Sequence, residues 1–111
     1  MQKNIEKPLG LFIDLDGTAL SSNEIPNQNV LNSIKLAAKK IPVSLASGRM
    51  HEDVSHFARL FGLSYPQISD NGARILDPVS GHVLYEAIIC EIEAKRIVKK
   101  RCGLKIKVEP N

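Results

Sequence analysis

Two carboxylates, Asp14 and Asp16, end an apolar run of the sequence and are followed by Gly17 and Thr18. Alternate residues of a strand point the same way, about 6.6 Å apart along the chain, so the two carboxylates can share one pocket. Like charges in an apolar pocket are costly unless a cation is present or one of them is protonated. The pair therefore predicts a hard divalent ion, Mg²⁺ before others. The plain alternative is that one Asp caps a turn and the other is solvated.

The elements that must position these carboxylates alternate between strand and helix. Residues 9–15 are almost continuously apolar, which predicts a buried parallel strand. Apolar residues at helical spacing predict helices over residues 27–40 and 51–61, and short apolar runs predict strands over 42–46 and 66–69. This order is half of a doubly wound, Rossmann-like parallel sheet of the α/β class, with right-handed crossovers.

Each of the three predicted strands delivers polar residues to the same edge of the sheet. In chain order these are Asp14 and Asp16, then Ser47 and Arg49, then Asp70 and Asn71. Ligands of open α/β sheets bind beyond the carboxyl ends of the strands. The convergence therefore predicts a functional site at this edge.

The pattern changes after the third strand. Residues 73–76 and 82–85 flank an Asp-Pro-Val-Ser-Gly turn, which predicts a β-hairpin. Residues 88–101 predict a helix with several isoleucines available to pack, and residues 104–108 predict a strand exposed on one face.

Composition narrows the classes of function. A chain of 111 residues with 43% hydrophobic residues has the length of a single domain and can bury a core. The net charge of +3 is mild, and no aromatic residue is interleaved with the basic C-terminal residues, so nucleic-acid binding is disfavoured. Two cysteines outside any zinc or redox pattern, with no secretory segment, predict a cytoplasmic protein with reduced thiols. No apolar run approaches the roughly 20 residues that cross a bilayer, so no membrane partner is expected.

Three motifs resemble those of the haloacid dehalogenase-like (HAD) hydrolase superfamily, specifically its Cof-type sugar-phosphatase branch. They are Asp14-Leu15-Asp16-Gly17-Thr18, Leu45-Ala46-Ser47-Gly48-Arg49, and Asn71-Gly72-Ala73 followed by the hairpin. The resemblance implies the N-terminal part of a Rossmann-like core, hairpin included, over residues 1–86. It further implies the start of an α+β cap domain over residues 87–111.

The resemblance also implies catalytic roles. Asp14 would attack the phosphorus of a phosphate monoester and form an aspartyl-phosphate. Asp16 would protonate the leaving oxygen and later activate water, which requires a pKa raised above the ordinary Asp value of about 3.9. Mg²⁺ would bind a carboxylate oxygen of Asp14 and the backbone carbonyl of Asp16. Ser47 would donate its hydroxyl to the phosphate, helped by backbone N–H groups around Gly48.

The roles of three further matched residues can each be interpreted in two ways. Arg49 either reaches an anionic substrate or pairs with a nearby carboxylate. Thr18 either binds the phosphate or stabilises its own turn. Asn71 either touches substrate or orders the edge of the site.

The chain also departs from the family pattern. The family carries a later Lys that steadies the phosphate and a Gly-Asp-x-x-x-Asp-type segment that completes the metal site, and neither is present. We therefore expect the N-terminal portion of a phosphatase for a small phosphorylated metabolite, with low or no activity alone. Its first strand would be an unpaired apolar edge, which favours a homo-oligomer or a complementary C-terminal fragment as partner.

Two other classes of function fit part of the pattern. In a response-regulator receiver, Asp70 would accept phosphate from a partner kinase beside Mg²⁺, but receivers usually carry adjacent acids after their first strand. The second alternative is a non-catalytic assembly module that keeps the fold and pairs with a complementary chain.

Overall fold

The computed structural model describes residues 6–102, so the strand predicted over residues 104–108 lies outside the described residues. Within that range a 3₁₀ turn at Asp70–Gly72 separates the third and fourth strands. The elements are, in chain order, β1 (Leu11–Asp14), α1 (Gln28–Ala38), β2 (Val43–Ala46), α2 (His51–Leu60), β3 (Gln67–Ser69), β4 (Arg74–Leu76), β5 (Val83–Glu86) and α3 (Glu91–Cys102).

The five strands form one mixed sheet in the order β1-β2-β3-β4-β5. The first three strands are parallel, whereas β4 and β5 form an antiparallel hairpin on β3. Parallel neighbours need a crossover, and α1 and α2 provide the two crossovers. The predicted α/β class, the Rossmann-like half sheet and the hairpin are confirmed.

The core lies between one face of this sheet and the helices α1 and α2. Asn27 caps α1 by accepting a hydrogen bond from the backbone N–H of Asn29 at 2.7 Å. Along α2, Val54 and Phe57 point inward, and the helix stops before Gly62, whose φ of +73° is the left-handed conformation that glycine adopts freely. The two helices therefore hold β2 and β3 from one side.

The burial predicted for residues 9–15 is wrong at Leu11 and Phe12, whereas Leu15 is fully buried, and β1 is the apolar edge strand that we expected from the departure from the family pattern. β1 pairs in parallel with β2 as expected, yet Phe12 is 69% exposed and Leu11 is also exposed. The reason is that β1 is an edge strand, with nothing among the described residues on its outer side. An apolar run indicates that a strand is suited to burial, but another part of the structure must supply the layer that covers it.

The third helix does not pack as its apolar residues suggested. It begins at Glu91 rather than at residue 88, and Ile92 and Ile97 are exposed. Its ion pairs are local, for example Lys95 with Glu91 at 2.8 Å. No helix among residues 6–102 is long and apolar enough to cross a membrane.

Candidate active site

A cleft of about 350 Å³ opens at the carboxyl ends of the three parallel strands. It is lined by Asp14, Ala46, Ser47, Gly48, Ile68, Asn71 and Gly72. Asp14 is the last residue of β1, Ser47 follows β2, and Asn71 lies in the 3₁₀ turn after β3. The structure therefore brings together a predicted residue from each of the three strand ends.

Backbone hydrogen bonds fix the second and third strand ends against each other. The N–H of Ser47 donates to the carbonyl of Ile68 at 3.1 Å, and the N–H of Asn71 donates to the carbonyl of Ser47 at 3.1 Å. The hydroxyl of the buried Ser47 accepts a hydrogen bond from the N–H of Arg49 at 3.0 Å. A serine hydroxyl can accept and donate at once, so this bond orients Ser47 while its hydrogen can still be donated to a ligand.

Asn71 is held over Gly48 by an uncommon backbone conformation. Its φ of 54° and ψ of 35° are left-handed, which Asn tolerates better than most residues. A Cβ on Gly48 would lie 2.7 Å from the amide oxygen of Asn71, closer than nonbonded atoms approach. The absence of a side chain at residue 48 is thus what lets the Asn71 amide reach this part of the cleft.

Asp16 does not share the cleft with Asp14. The Arg49 guanidinium holds its carboxylate through a fork, with Nε 2.9 Å from Oδ2 and Nη2 2.7 Å from Oδ1. The expectation of a shared pocket relied on strand alternation, but β1 ends at Asp14 and Asp16 lies in the turn that follows. Of the two interpretations of Arg49, the structure shows the pairing with carboxylates.

Arg49 is surrounded by negative charge and packed on an aromatic ring. Besides Asp16, it donates to Glu24 at 3.0 Å and lies 3.8 Å from Asp53. Its guanidinium carbon is 5.4 Å from the centre of the Phe57 ring, in cation–π range. Glu24 was not predicted as part of the site, since a loop residue 25 positions before Arg49 carries no periodic or motif signal.

This ion pair sets the charge state of Asp16. Hydrogen bonds from Arg49 hold the pKa of the Asp16 carboxyl below its ordinary value, and they outweigh the opposing effect of desolvation. In turn, the same hydrogen bonds raise the pKa of Arg49. A general acid at neutral pH needs a raised pKa, so Asp16 in this state is ionised and cannot donate a proton.

The described residues fit a magnesium site only in part. Among residues 6–102 no group of three or more His, Cys, Asp or Glu side chains is arranged to hold a metal ion. Asp14 offers one exposed carboxylate in the cleft, whereas the carboxylate of Asp16 is occupied by Arg49. Mg²⁺ takes six ligands, commonly one or two carboxylates with waters and phosphate oxygens. Residues 6–102 supply only part of such a ligand set.

Thr18 lies outside the cleft. It is exposed and lines a second, mostly apolar pocket between β1 and α1, together with Ile13, Val30 and Ile34. Its neighbours in the turn form backbone hydrogen bonds, such as the N–H of Leu20 to the carbonyl of Leu15 at 2.8 Å. This position favours the interpretation of Thr18 as a turn residue.

Comparison with known proteins agrees with this arrangement. The sequence profile described as haloacid dehalogenase-like hydrolase matches residues 11–109. A Mycoplasma genitalium protein named as an inferred phosphatase is 41% identical over 68 residues, covering 60% of this chain and 24% of that protein. A Haemophilus influenzae protein, also named as an inferred phosphatase, is 35% identical over 74 residues, covering 65% and 27%.

A solved structure extends the likeness to the fold. The haloacid dehalogenase-like hydrolase from B. subtilis superposes with a TM-score of 0.72 at 32% identity, over 84% of this chain and 33% of that chain. The chain thus spans about a quarter of the length of the curated relatives and a third of that structure. The profile match includes Asp14, Ser47 and Asn71, the residues that meet in the cleft. The chain belongs to the haloacid dehalogenase-like hydrolase family.

Proposed function

We propose that this chain supplies the nucleophile-bearing part of a phosphatase site that acts on a small phosphorylated metabolite. The observation that carries the proposal is the cleft that the exposed Asp14 lines together with Ser47 and Gly48. A carboxylate nucleophile beside a hydroxyl and backbone N–H groups is the equipment that phosphoryl transfer to a protein side chain requires. The motifs favour the Cof-type branch and a sugar phosphate as the substrate.

The proposed reaction has two steps. An Asp14 carboxylate oxygen attacks the phosphorus, the bond from phosphorus to the substrate's alcohol oxygen breaks, and that oxygen takes a proton from Asp16. Water then attacks the phosphorus of the aspartyl-phosphate and gives a proton to Asp16, which releases phosphate and restores the Asp14 carboxylate. Ser47 and the Gly48 backbone hold the phosphoryl oxygens through both steps.

Magnesium would assist this chemistry by neutralising charge between Asp14 and the phosphoryl oxygens. The Asp14 carboxylate and the Asp16 backbone carbonyl would contribute to its binding. The remaining ligands would have to come from water, substrate or polypeptide beyond the described residues.

The pairing of Asp16 with Arg49 supports low activity for the chain alone. Asp16 is ionised at neutral pH, so it can accept a proton in the second step but has none to donate in the first. Full activity would require Arg49 to release or share Asp16. The same pairing favours, as a second candidate, an assembly module that binds its partner without performing chemistry itself.

Chemical trapping of the intermediate tests the proposal without requiring rapid turnover. The chain is incubated with Mg²⁺ and acetyl phosphate, reduced with borohydride, and digested for mass spectrometry, which converts a phosphorylated aspartate to homoserine. We expect homoserine at residue 14 in the wild type and none in Asp14→Asn. Asp70→Asn is the matched control and should leave the label unchanged.

Other outcomes point to the alternatives. Labelling of Asp70 in place of Asp14 would favour the receiver hypothesis, and no labelling would favour the assembly module. Efficient p-nitrophenyl phosphate hydrolysis by the isolated chain, lost in Asp14→Asn, would contradict the low activity proposed for the chain alone.

A further inference from the structure

Glu24 lies in the loop between β1 and α1, and its side chain returns to the edge of the site. Its carboxylate accepts a hydrogen bond from Arg49 Nη2 at 3.0 Å. None of the three motifs includes Glu24, and the proposed two-step reaction does not use it. The side chain is exposed, so burial does not account for its direction. The contact that joins this loop to the site is the ion pair with Arg49.

The backbone at Glu24 holds a conformation that glutamate seldom adopts. Its φ of +59° is left-handed, which is unfavourable for a residue with a Cβ. Two hydrogen bonds close the turn around it. The Glu24 N–H donates to the Ser21 carbonyl at 2.9 Å, and the Ser21 hydroxyl donates to the Ile25 carbonyl at 3.0 Å. Such conformations persist where surrounding contacts impose them, and they are concentrated at functional sites.

The Arg49 guanidinium is shared between two carboxylates. Nη2 lies 2.7 Å from Asp16 Oδ1 and 3.0 Å from Glu24 Oε1, so one nitrogen bonds both acids. A guanidinium carries five N–H donors in a fixed plane, so it can hold both carboxylates at once. Asp53 lies further away, 3.8 Å from Nη1. Glu24 is therefore the nearer of the two acids to which Arg49 can turn when it leaves Asp16.

Two other contacts keep Arg49 within reach of both acids. Its backbone N–H donates to the Ser47 hydroxyl at 3.0 Å, and its guanidinium carbon lies 5.4 Å from the centre of the Phe57 ring. Attraction between a cation and the face of an aromatic ring does not depend on which carboxylate the cation pairs with. A rotation of the end of the side chain can therefore change the carboxylate partner while the backbone bond is kept.

The proposed reaction requires Asp16 to leave this fork. Both of its carboxylate oxygens accept hydrogen bonds from Arg49, yet the carboxylate must take a proton from water when the aspartyl-phosphate is hydrolysed. The Arg49 side chain is only 18% exposed, so release without a new partner would leave a poorly solvated cation. Transfer to a second carboxylate keeps the charge paired and the donors bonded. Glu24 is placed to be that carboxylate.

We propose that Glu24 is a positioning residue, which binds the Arg49 guanidinium when Asp16 is released for proton transfer. The guanidinium gives up its bonds to Asp16 and pairs with Glu24, and no proton or covalent bond passes between these three residues. The released Asp16 carboxylate then accepts the proton of the attacking water. The inference rests on the proposed function for this proton transfer, whereas the exchange of Arg49 between carboxylates can be measured without it.

The formation and hydrolysis of the Asp14 aspartyl-phosphate distinguish positioning from a structural role. With acetyl phosphate, the bond from phosphorus to acetate breaks and acetate leaves as a stable anion, so formation needs no proton from Asp16. Hydrolysis uses Asp16 as the base. Glu24→Gln keeps the side-chain length but removes the charge, so hydrolysis should slow about five-fold, the upper value for losing one exposed ion pair, with formation unchanged. Borohydride reduction at successive times, before and after acetyl phosphate is removed, measures both rates.

Glu52→Gln is the matched control for the loss of one acid. The side chain of Glu52 is 65% exposed and that of Glu24 is 67% exposed, but Glu52 pairs with His51 at 3.1 Å rather than with Arg49. It should leave both rates unchanged. Glu24→Gly is the second test variant, because glycine adopts the positive φ freely while the carboxylate is lost. It should slow hydrolysis alone, as Glu24→Gln does.

The mobility of the Arg49 side chain tests the exchange without phosphoryl chemistry. In Asp16→Asn, Arg49 should pair with Glu24, and the NMR order parameter of its Nε–H should stay near the wild-type value. The double variant Asp16→Asn/Glu24→Gln removes both charges, and the order parameter should fall. Asp16→Asn/Asp53→Asn is the control, since Asp53 is the more distant acid, and it should match Asp16→Asn.

The outcomes separate the positioning role from the proposed function. Hydrolysis that is not slowed in Glu24→Gln, equal slowing of formation and hydrolysis, or an Arg49 side chain equally mobile in Asp16→Asn with and without Glu24 would each overturn the positioning role. Labelling of Asp14 in the wild type together with any of these results would leave the proposed function standing. No labelling of Asp14 would remove the proposed function and the proton transfer with it, while the order parameters still decide whether Glu24 binds the released Arg49.

Discussion

Replacing Arg49 with glutamine should release Asp16 and raise the pKa of its carboxyl. The Arg49 fork is the main cause of the lowered pKa of Asp16, so the pKa should rise toward the ordinary Asp value of about 3.9 in Arg49→Gln. The side chain of Asp16 is 54% exposed and that of Arg49 is 18% exposed. Solvent screens such a pair, so its contribution to stability stays within the range measured for surface pairs. The geometry of the fork places it at the upper end of that range, about 1 kcal/mol.

The stack of Arg49 on Phe57 adds to this loss. Cation–π contacts at partly exposed sites contribute about 0.5–1 kcal/mol, so Arg49→Gln should lower the free energy of unfolding by about 1–2 kcal/mol near neutral pH. The folded-state pKa of Asp16 is lowered, so its stabilisation is complete above the unfolded pKa and is lost as the pH falls through the folded pKa. The difference between wild type and variant should therefore shrink below about pH 4.

Carboxyl-detected NMR titration of Asp16 and urea unfolding at several pH values measure both effects. Arg59→Gln is the matched control, because Arg59, in the last turn of α2, donates to the Ser55 hydroxyl and the Pro78 carbonyl rather than to a carboxylate. It should leave the Asp16 titration unchanged. An Asp16 pKa at or above the ordinary value in the wild type would refute the reasoning, as would an unchanged pKa in Arg49→Gln.

Two further substitutions test the cleft and the sheet. Gly48→Ala should lower the free energy of unfolding by less than about 1 kcal/mol, because the Asn71 side-chain amide can rotate away from the added methyl group. The side-chain amide NMR signals of Asn71 should shift, and unchanged signals would contradict the close approach. Gln67→Met should lower the free energy of unfolding by about 1–3 kcal/mol in urea, because the buried Gln67 accepts the Leu45 N–H at 2.6 Å. The exposed Gln28→Met is its control, and equal losses in both variants would refute this role.

The sequence contained most of the information about the order and ends of the elements. Strand ends were predictable since apolar runs stop at Asp14, at Ala46 and at Ser69, where polar residues begin. The end of α2 was predictable because Gly62 takes the left-handed conformation that terminates helices. These signals are local, so they remain readable in a single sequence.

The relation between Asp14 and Asp16 was not predictable in the same way. Alternation holds only while the chain is extended, and at Asp16, two residues beyond the end of β1, it no longer gives the direction of a side chain. The partner of Asp16 is Arg49, which lies 33 residues later in the sequence. A loop brings Glu24 to the same guanidinium. Such contacts depend on tertiary geometry, which no spacing in the sequence encodes.

Access of water links the exposed first strand to the cleft. Asp14, at the end of β1, is exposed, and a Coulomb interaction at a given distance is several-fold weaker near water than inside a protein. A layer over Ala46 and Ile68 would exclude that water, strengthening the hold of Ser47 and Gly48 on a phosphoryl group. Covering the sheet and strengthening the hold on a phosphoryl group are therefore coupled through the same loss of water.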